Sequence, residues 1–192
     1  MNSIVLGSGS PRRKELLSAI WKGEIEILKS DVEEVFPSDL AAEDVALYLA
    51  DLKGKDLKTK LGLKDKLLIT ADTVVVSDNR VLGKPVDKED AKSMLSSLSG
   101  KSHAVITGVM IYTHEKTIPI EESTEVFFND LSPTDIDFYV ENFNPLDKAG
   151  SYGIQDYIGM IGIEKIQGCY YNVMGLPTQK LYQVLSDLTA RK

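Results

Sequence analysis

Residues 3–17 read Ser-Ile-Val-Leu-Gly-Ser-Gly-Ser-Pro-Arg-Arg-Lys-Glu-Leu-Leu. Residues 3–6 form an apolar, β-branched run that stops at Gly7-Ser8-Gly9-Ser10-Pro11, the pattern of a buried strand followed by a tight turn. Ser10 suits a helix N-cap and Pro11 the first helical position. Leu16, Leu17 and Ile20 then recur at helical spacing, which predicts a helix over 11–20.

Outward from this stretch, residues 24–28 alternate charge with Ile25 and Ile27 and read as a strand entering an acidic turn of Asp31, Glu33 and Glu34. A longer helix is predicted over 41–61, with Val45, Leu49 and Leu52 on one stripe and Gly62 as its stop. Lys53, Lys55, Lys58 and Lys60 make its second half basic. A second buried strand is predicted at 67–71, and Asp72-Thr73 is expected to interrupt it before 74–76 resume. Asp78-Asn79 fits a hairpin turn, and Gly83-Lys84-Pro85 closes the segment.

Asp87 is placed to cap a helix through Leu98, with Ala91, Met94, Leu95 and Leu98 inward and Gly100 at its end. Two long strand-like runs, 103–113 and 117–128, face each other across His114-Glu115-Lys116. Ser132-Pro133-Thr134-Asp135 has capping-box spacing for a helix that Asn144-Pro145 ends. Strand-like segments are expected near 152–154, 160–166 and 170–173, and a last helix over 177–188. Strands and helices mix without strict alternation, which predicts an α/β fold with a sheet of mixed direction, in two lobes of one domain over 1–192.

Composition bounds the function. A chain of 192 residues supports one domain or two small lobes sharing a core, and buries roughly 70% of its unfolded surface. With 43% hydrophobic and 27% charged residues it reads as a soluble globule rather than a disordered chain. Lys and Arg total 22 against 29 Asp and Glu, a net charge of −7. That disfavours binding to nucleic acid or an anionic membrane. It leaves a phosphate substrate open, because a few local cations and a divalent metal offset the repulsion. Cys169 is the single cysteine, and His103 and His114 lack metal-ligand spacing, so neither an internal disulfide nor a Cys/His zinc set is expected. The run from Met1 to Leu6 has no basic flank and does not resemble a secretory leader. No apolar run approaches the ~20 residues of a membrane span. A reducing cytoplasm is the expected address.

Several residues then invite chemistry. A Gly/Ser turn feeding a helix N-terminus offers free N–H groups and a positive dipole end, which suit a phosphate. The P-loop pattern is absent, and the dinucleotide fingerprint would need a third glycine where Arg12 stands. Arg12 and Arg13 in a first helical turn oppose the helix dipole; they are either solvated on a capped surface helix or recruited by an anion. Asp72, between two apolar runs, is costly to bury ionised unless paired or metal-bound. It reads as a turn or bulge aspartate, or as a strand-end carboxylate serving as general base or metal ligand. Glu33 and Glu34 form an acidic point on a loop, solvated unless recruited. Lys84, restrained between Gly83 and Pro85, sits on a surface turn or faces an anion. The Gln155 amide either reads a base edge or serves structure.

Taken together, Ser8-x-Ser10-Pro11-Arg12-Arg13, Ala71-Asp72-Thr73, Gly83-Lys84-Pro85, Leu98-Ser99-Gly100, Pro145-Leu146-Asp147-Lys148-Ala149-Gly150, Tyr152-Gly153-Ile154-Gln155 and Gly175-Leu176-Pro177 resemble the signature set of the Maf-type nucleoside triphosphate pyrophosphatases. The match spans residues 3–177 in order. The resemblance implies an elongated, two-lobed mixed α/β domain similar to inosine-triphosphatase-like proteins, with the active-site cleft between the lobes, and a homodimer. It implies Asp72 as proton acceptor for the attacking water, and Ser8, Arg13, Lys53 and Lys84 as holders of the triphosphate. Glu34 would sit at a divalent cation, Mg or Mn, ahead of Glu33. The branch of the family that accepts dTTP and UTP carries Arg, Thr and Gln at three specificity positions, here Arg12, Thr73 and Gln155; the branch acting on 7-methyl-GTP carries Trp, Asp and Glu. Departures from the pattern are Gly7, Gly54 and Ser151 where Ala is usual, and the two glycines are expected to loosen the turn and the helix.

The implied reaction converts dTTP or UTP, or a modified pyrimidine nucleotide, to the monophosphate and pyrophosphate. A different class of function is a non-catalytic nucleotide-binding regulator of cell division or septum formation. Asp72 and Lys84 argue against it, because a sensor needs no water-activating carboxylate.

Overall fold

The computed structural model describes residues 3–64 and 66–190; Met1 and Asn2 of the opening run lie outside them. Along the chain come β1 (Ser3–Gly7), α1 (Pro11–Ile20), β2 (Glu24–Ile27), α2 (Val45–Lys60), β3 (Lys66–Ser77), β4 (Arg80–Leu82) and α3 (Lys88–Leu98). Then follow β5 (Ser102–Tyr112), β6 (Thr117–Phe128), α4 (Pro133–Phe143), α5 (Tyr157–Gly162), β7 (Ile163–Gln167), α6 (Tyr170–Val173) and α7 (Thr178–Ala190). The strands hydrogen-bond in the order β2-β1-β3-β5-β6-β7, with β4 paired to β3. β1 is parallel to both β2 and β3, while β3–β4 and β6–β7 are antiparallel. The expected α/β fold with a sheet of mixed direction is what forms.

Two compact units share the chain. The first takes the chain up to Asp72, Thr107–Glu122 and the residues from Gly175 onward; the second takes Thr73–Ile106 and Ser123–Met174. In the first, Val5, Ala50, Leu57, Leu63, Leu68, Met110 and Tyr112 pack as one core. The continuous burial of β1 is that of a strand with parallel neighbours on both edges. In the second, Val75, Leu95, Leu98, Val105, Val126, Phe128, Ile136, Tyr139, Tyr152 and Ile158 lie in one core.

The expected helix ends are set by local chemistry. Ser10 caps α1 by accepting from the Arg13 amide at 3.4 Å, and Asp87 and Ser132 cap α3 and α4 in the same way. Asn144 ends α4 in the left-handed region at φ 46°. Asp78 and Asn79, both left-handed at φ 50° and 57°, make the β3–β4 hairpin.

The structure departs from four of the secondary-structure expectations. β3 runs unbroken from Lys66 to Ser77 through Asp72-Thr73, because the side chain of Asp72 is neutralised by a partner and its backbone stays in the ladder. Residues 152–154 lie outside the sheet: Tyr152 follows a turn of 3-10 helix, and 153 and 154 open a β-turn. The run 160–166 starts helical, in α5, and becomes a strand only at Ile163. Residues 170–173 form a single helical turn despite two tyrosines and a valine, showing how weakly β-propensity binds a short segment.

The glycines at 7 and 54 loosen nothing. A Cβ at Gly7 would meet Thr70 Cγ2 at 2.5 Å and Leu57 Cδ1 at 2.6 Å, and one at Gly54 would collide with the edge of the Tyr112 ring, 2.5 Å from Cζ. Neighbouring side chains fill the space that alanine would occupy.

Candidate active site

Within the first unit, five segments bring polar side chains to one place. The β1–α1 turn presents Ser8, 8% exposed, whose hydroxyl accepts from the Ser10 amide at 3.2 Å and from Arg13 Nη1 at 3.3 Å. Arg13, in the first turn of α1, also donates from Nη1 to the Ala71 carbonyl and from Nε to the Gly175 carbonyl, both at 2.9 Å. Burial pushes its guanidinium pKa down, and Asp72 and Glu34 act against that. Both carboxylates are therefore near enough to be felt at Arg13.

Lys53 comes from α2 and is buried. Its ammonium donates to Asp72 Oδ1 and pairs with Glu34 Oε1 at 3.0 Å. Asp72 is 8% exposed in the middle of β3, away from either strand end. Glu34 reaches in from the loop between β2 and α2 with its side chain 45% exposed, and its neighbour Glu33 is exposed. Ser8, Arg13, Glu34, Lys53 and Asp72 thus come together, while Arg12 is half-buried beside Arg13 on α1.

Thr73, Lys84 and Gln155 belong to the second unit. Thr73 is half-buried, next along β3 from Asp72. Lys84 is exposed in the loop after β4, and the carbonyl of Gly83 beside it accepts from the Gly150 amide at 3.0 Å. Gln155 is half-buried with its Oε1 shielded from solvent and without a hydrogen-bond partner.

Among the described residues, no three or more His, Cys, Asp or Glu side chains converge as a metal cage. Glu34 and Asp72 do approach one shared ammonium, so two hard oxygen donors lie close together. That set fits a cation such as Mg²⁺, which is held through one or two carboxylates with phosphate and water completing the shell. A buried carboxylate, two cations and a hydroxyl beside a helix N-terminus can orient water and hold a polyanion.

The sequence motifs found these residues but not their supports. Gly175, 162 residues from Arg13, was visible only as part of a motif and carries its role through a main-chain carbonyl, which no side-chain pattern reveals. No helix of the described residues is long and apolar enough to cross a membrane.

The solved Ham1 protein of Staphylococcus aureus has the same fold at a TM-score of 0.52, with 15% identity over 96% of this chain and 98% of that one. A protein of Bacteroides fragilis named dTTP/UTP pyrophosphatase is 47% identical over 96% of this chain and 95% of its own length. One of that name from Porphyromonas gingivalis is 49% identical over 96% of this chain and 93% of its own. The model of the Maf-like protein family matches residues 3–188, and over that whole span, motifs and fold included, the chain belongs to the Maf family.

Proposed function

We propose that this protein is a nucleoside triphosphate pyrophosphatase that hydrolyses dTTP and UTP to the monophosphate and pyrophosphate. One observation carries the reading: Asp72 is a buried mid-strand carboxylate bound to Lys53, with Glu34 on the same ammonium. The names of its relatives supply the substrate class.

In this reading Asp72 accepts the proton of a water that attacks the α-phosphorus. A phosphorus–oxygen bond forms to that water as the bond to the β-phosphate oxygen breaks, and pyrophosphate leaves. Ser8, Arg13, Lys53 and Lys84 bind the triphosphate, and Lys53 also keeps Asp72 in place. Pre-positioned cations stabilise the developing charge without reorganising at the moment of reaction. Glu34, with Asp72, would hold a divalent Mg or Mn cation, which supplies charge neutralisation to the phosphate oxygens. Arg12, Thr73 and Gln155 would select the base. The Gln155 amide both donates and accepts, as the O4/N3 edge of uracil or thymine requires, whereas cytosine reverses that pattern and leaves buried groups unpaired.

The proposal extends to a homodimer, as the family resemblance implies, and to a reducing cytoplasm with neither nucleic acid nor membrane as a partner; the lone Cys169 supports the compartment and the net charge of −7 the absence of anionic partners. The test is incubation with each nucleoside triphosphate and Mg²⁺ or Mn²⁺, assaying pyrophosphate against orthophosphate. UTP and dTTP are expected to release pyrophosphate faster than CTP or ATP. Release of orthophosphate, or equal rates across the panel, overturns the reading.

A further inference from the structure

The segment that carries Gln155 is a β-turn: the Asp156 amide donates to the Gly153 carbonyl at 3.0 Å, which puts Ile154 and Gln155 at its two central positions. Both ends of this turn are tied to one phenol. Tyr139, on α4 and fully buried, accepts from the Gly153 amide at 3.1 Å and donates to Asp156 Oδ2 at 2.8 Å.

Asp156 precedes α5 but its side chain makes no capping bond. It serves Tyr139 instead, with the Lys148 ammonium 3.6 Å from the same oxygen. A Cβ at Gly153 would lie 2.6 Å from that oxygen, so glycine is needed for the carboxylate to tuck against the turn. Burial, and after it the bond to Asp156, raises the Tyr139 pKa, so the hydroxyl keeps its proton and its donor role. The ring is braced in turn: Tyr139 stacks on Phe143 at 5.3 Å, and Phe143 on Tyr157 at 5.9 Å. A rigid turn thus holds an amide whose oxygen is shielded and has no partner. Such an atom is costly unless a ligand satisfies it.

We propose that Tyr139 is a positioning residue for base selection: its hydroxyl clamps the 153–156 turn and so sets where the Gln155 amide is presented to a pyrimidine edge. The inference rests on the reading of Gln155 as the base-recognising residue. Tyr139 touches no substrate in this role. An interaction 14 and 17 residues away in sequence sets the geometry of one that does.

The experiment compares steady-state kinetics on UTP, dTTP and CTP for the wild type, Tyr139→Phe, Asp156→Ala, Asp156→Asn and Gln155→Ala. Tyr139→Phe keeps the ring and its stacking. It is expected to lower kcat/KM for UTP about ten-fold, the size of one lost hydrogen bond, mainly through KM, and to shrink the UTP-over-CTP preference by a similar factor. Asp156→Ala should act in the same direction, and Asp156→Asn, whose amide oxygen still accepts from Tyr139, should restore the preference. Asp156→Ala carries the test if Tyr139→Phe fails to fold. If Gln155→Ala abolishes the preference while Tyr139→Phe and Asp156→Ala keep it, the clamp is structural and the inference is wrong. If Gln155→Ala itself keeps the preference, the base reading of Gln155 fails first and takes the inference with it.

Discussion

The ammonium of Lys53, on α2, lies against the carboxylate of Asp72, in the middle of β3, and the two side chains are only 11% and 12% exposed. Glu34 shares the ammonium from outside, at 3.0 Å and 45% exposed. The two acids therefore occupy different environments around one cation. Asp72 is withdrawn from water and oriented by its partner; Glu34 remains hydrated and can exchange partners at little cost. Exposed ion pairs contribute little to stability. A buried one matters most when half of it is removed, because the remaining charge is left uncompensated.

That asymmetry gives a coupled prediction. Asp72→Asn keeps an acceptor for Lys53, so the fold should persist while pyrophosphate release falls about 10²–10⁴-fold, the usual worth of a general base. Lys53→Met should instead destabilise by about 3–5 kcal/mol, through the stranded Asp72 charge. In the double variant much of that loss should return. Urea midpoints and initial rates on UTP check all three. Additive stability changes would show that the pair is not coupled, and near-wild-type turnover by Asp72→Asn would remove it as the base.

Gly54 makes a second case where two effects compete. Alanine raises helix propensity by up to about 1 kcal/mol over glycine, but its Cβ would sit 2.5 Å from Tyr112 Cζ. The ring cannot swing away easily, because its hydroxyl donates to Asp51 Oδ1 at 2.6 Å. Overpacking costs about 1–3 kcal/mol, so Gly54→Ala is expected to lower the urea midpoint. In a Tyr112→Ala background the same change should become neutral or stabilising, as propensity alone dictates. A midpoint that rises in the wild-type background would mean that the ring yields.

His103 predicts an acid limb to stability. It is 3% exposed, with Nε2 2.7 Å from the Tyr152 hydroxyl and edge contacts to Phe128 and Tyr152. Burial pulls its pKa down from 6.5 to about 4. The unfolded chain therefore takes up the proton first as pH falls. Stability is full above about pH 6.5 and is lost progressively toward pH 4, by at most about 3 kcal/mol. The drop in urea midpoint between pH 7 and 4.5 should be smaller in His103→Gln than in the wild type. Equal drops would show that the imidazole charges inside the fold without penalty.

Much of this was legible beforehand because it is local. The turn after β1, the caps at Ser10, Asp87 and Ser132, and the Asp78-Asn79 hairpin each need only a few adjacent residues, and all formed as expected. Asp72 misleads because a charge inside an apolar run looks like a break until its partner is known, and nothing local in the sequence pairs it with Lys53, 19 residues earlier. Residues 170–173 misled for the opposite reason: four residues carry too little periodicity to separate a strand from a helical turn. Tyr139 belongs to no motif, and nothing near it in the sequence announces that its hydroxyl holds a turn elsewhere.

Arg13 gives the last prediction, because its role divides between architecture and substrate. Its Nε and Nη1 bind the Gly175 and Ala71 carbonyls and the Ser8 hydroxyl, so the guanidinium ties the first turn of α1 to β3 and to the chain entering α7. A planar fork makes divergent bonds that a lysine ammonium on a flexible stem cannot reproduce. Arg13→Lys keeps the positive charge beside Asp72 and Glu34 but gives up at least one bond to a buried carbonyl, at about 1–3 kcal/mol. If the residue acted only as a phosphate cation, the lysine would conserve stability and alter KM alone. The structure predicts a lower melting temperature together with a loss in kcat, since Ala71 immediately precedes Asp72 and moves with it. Thermal melts with and without pyrophosphate, set beside kcat and KM for UTP, separate the two. Wild-type stability with a raised KM would reduce Arg13 to a binding charge.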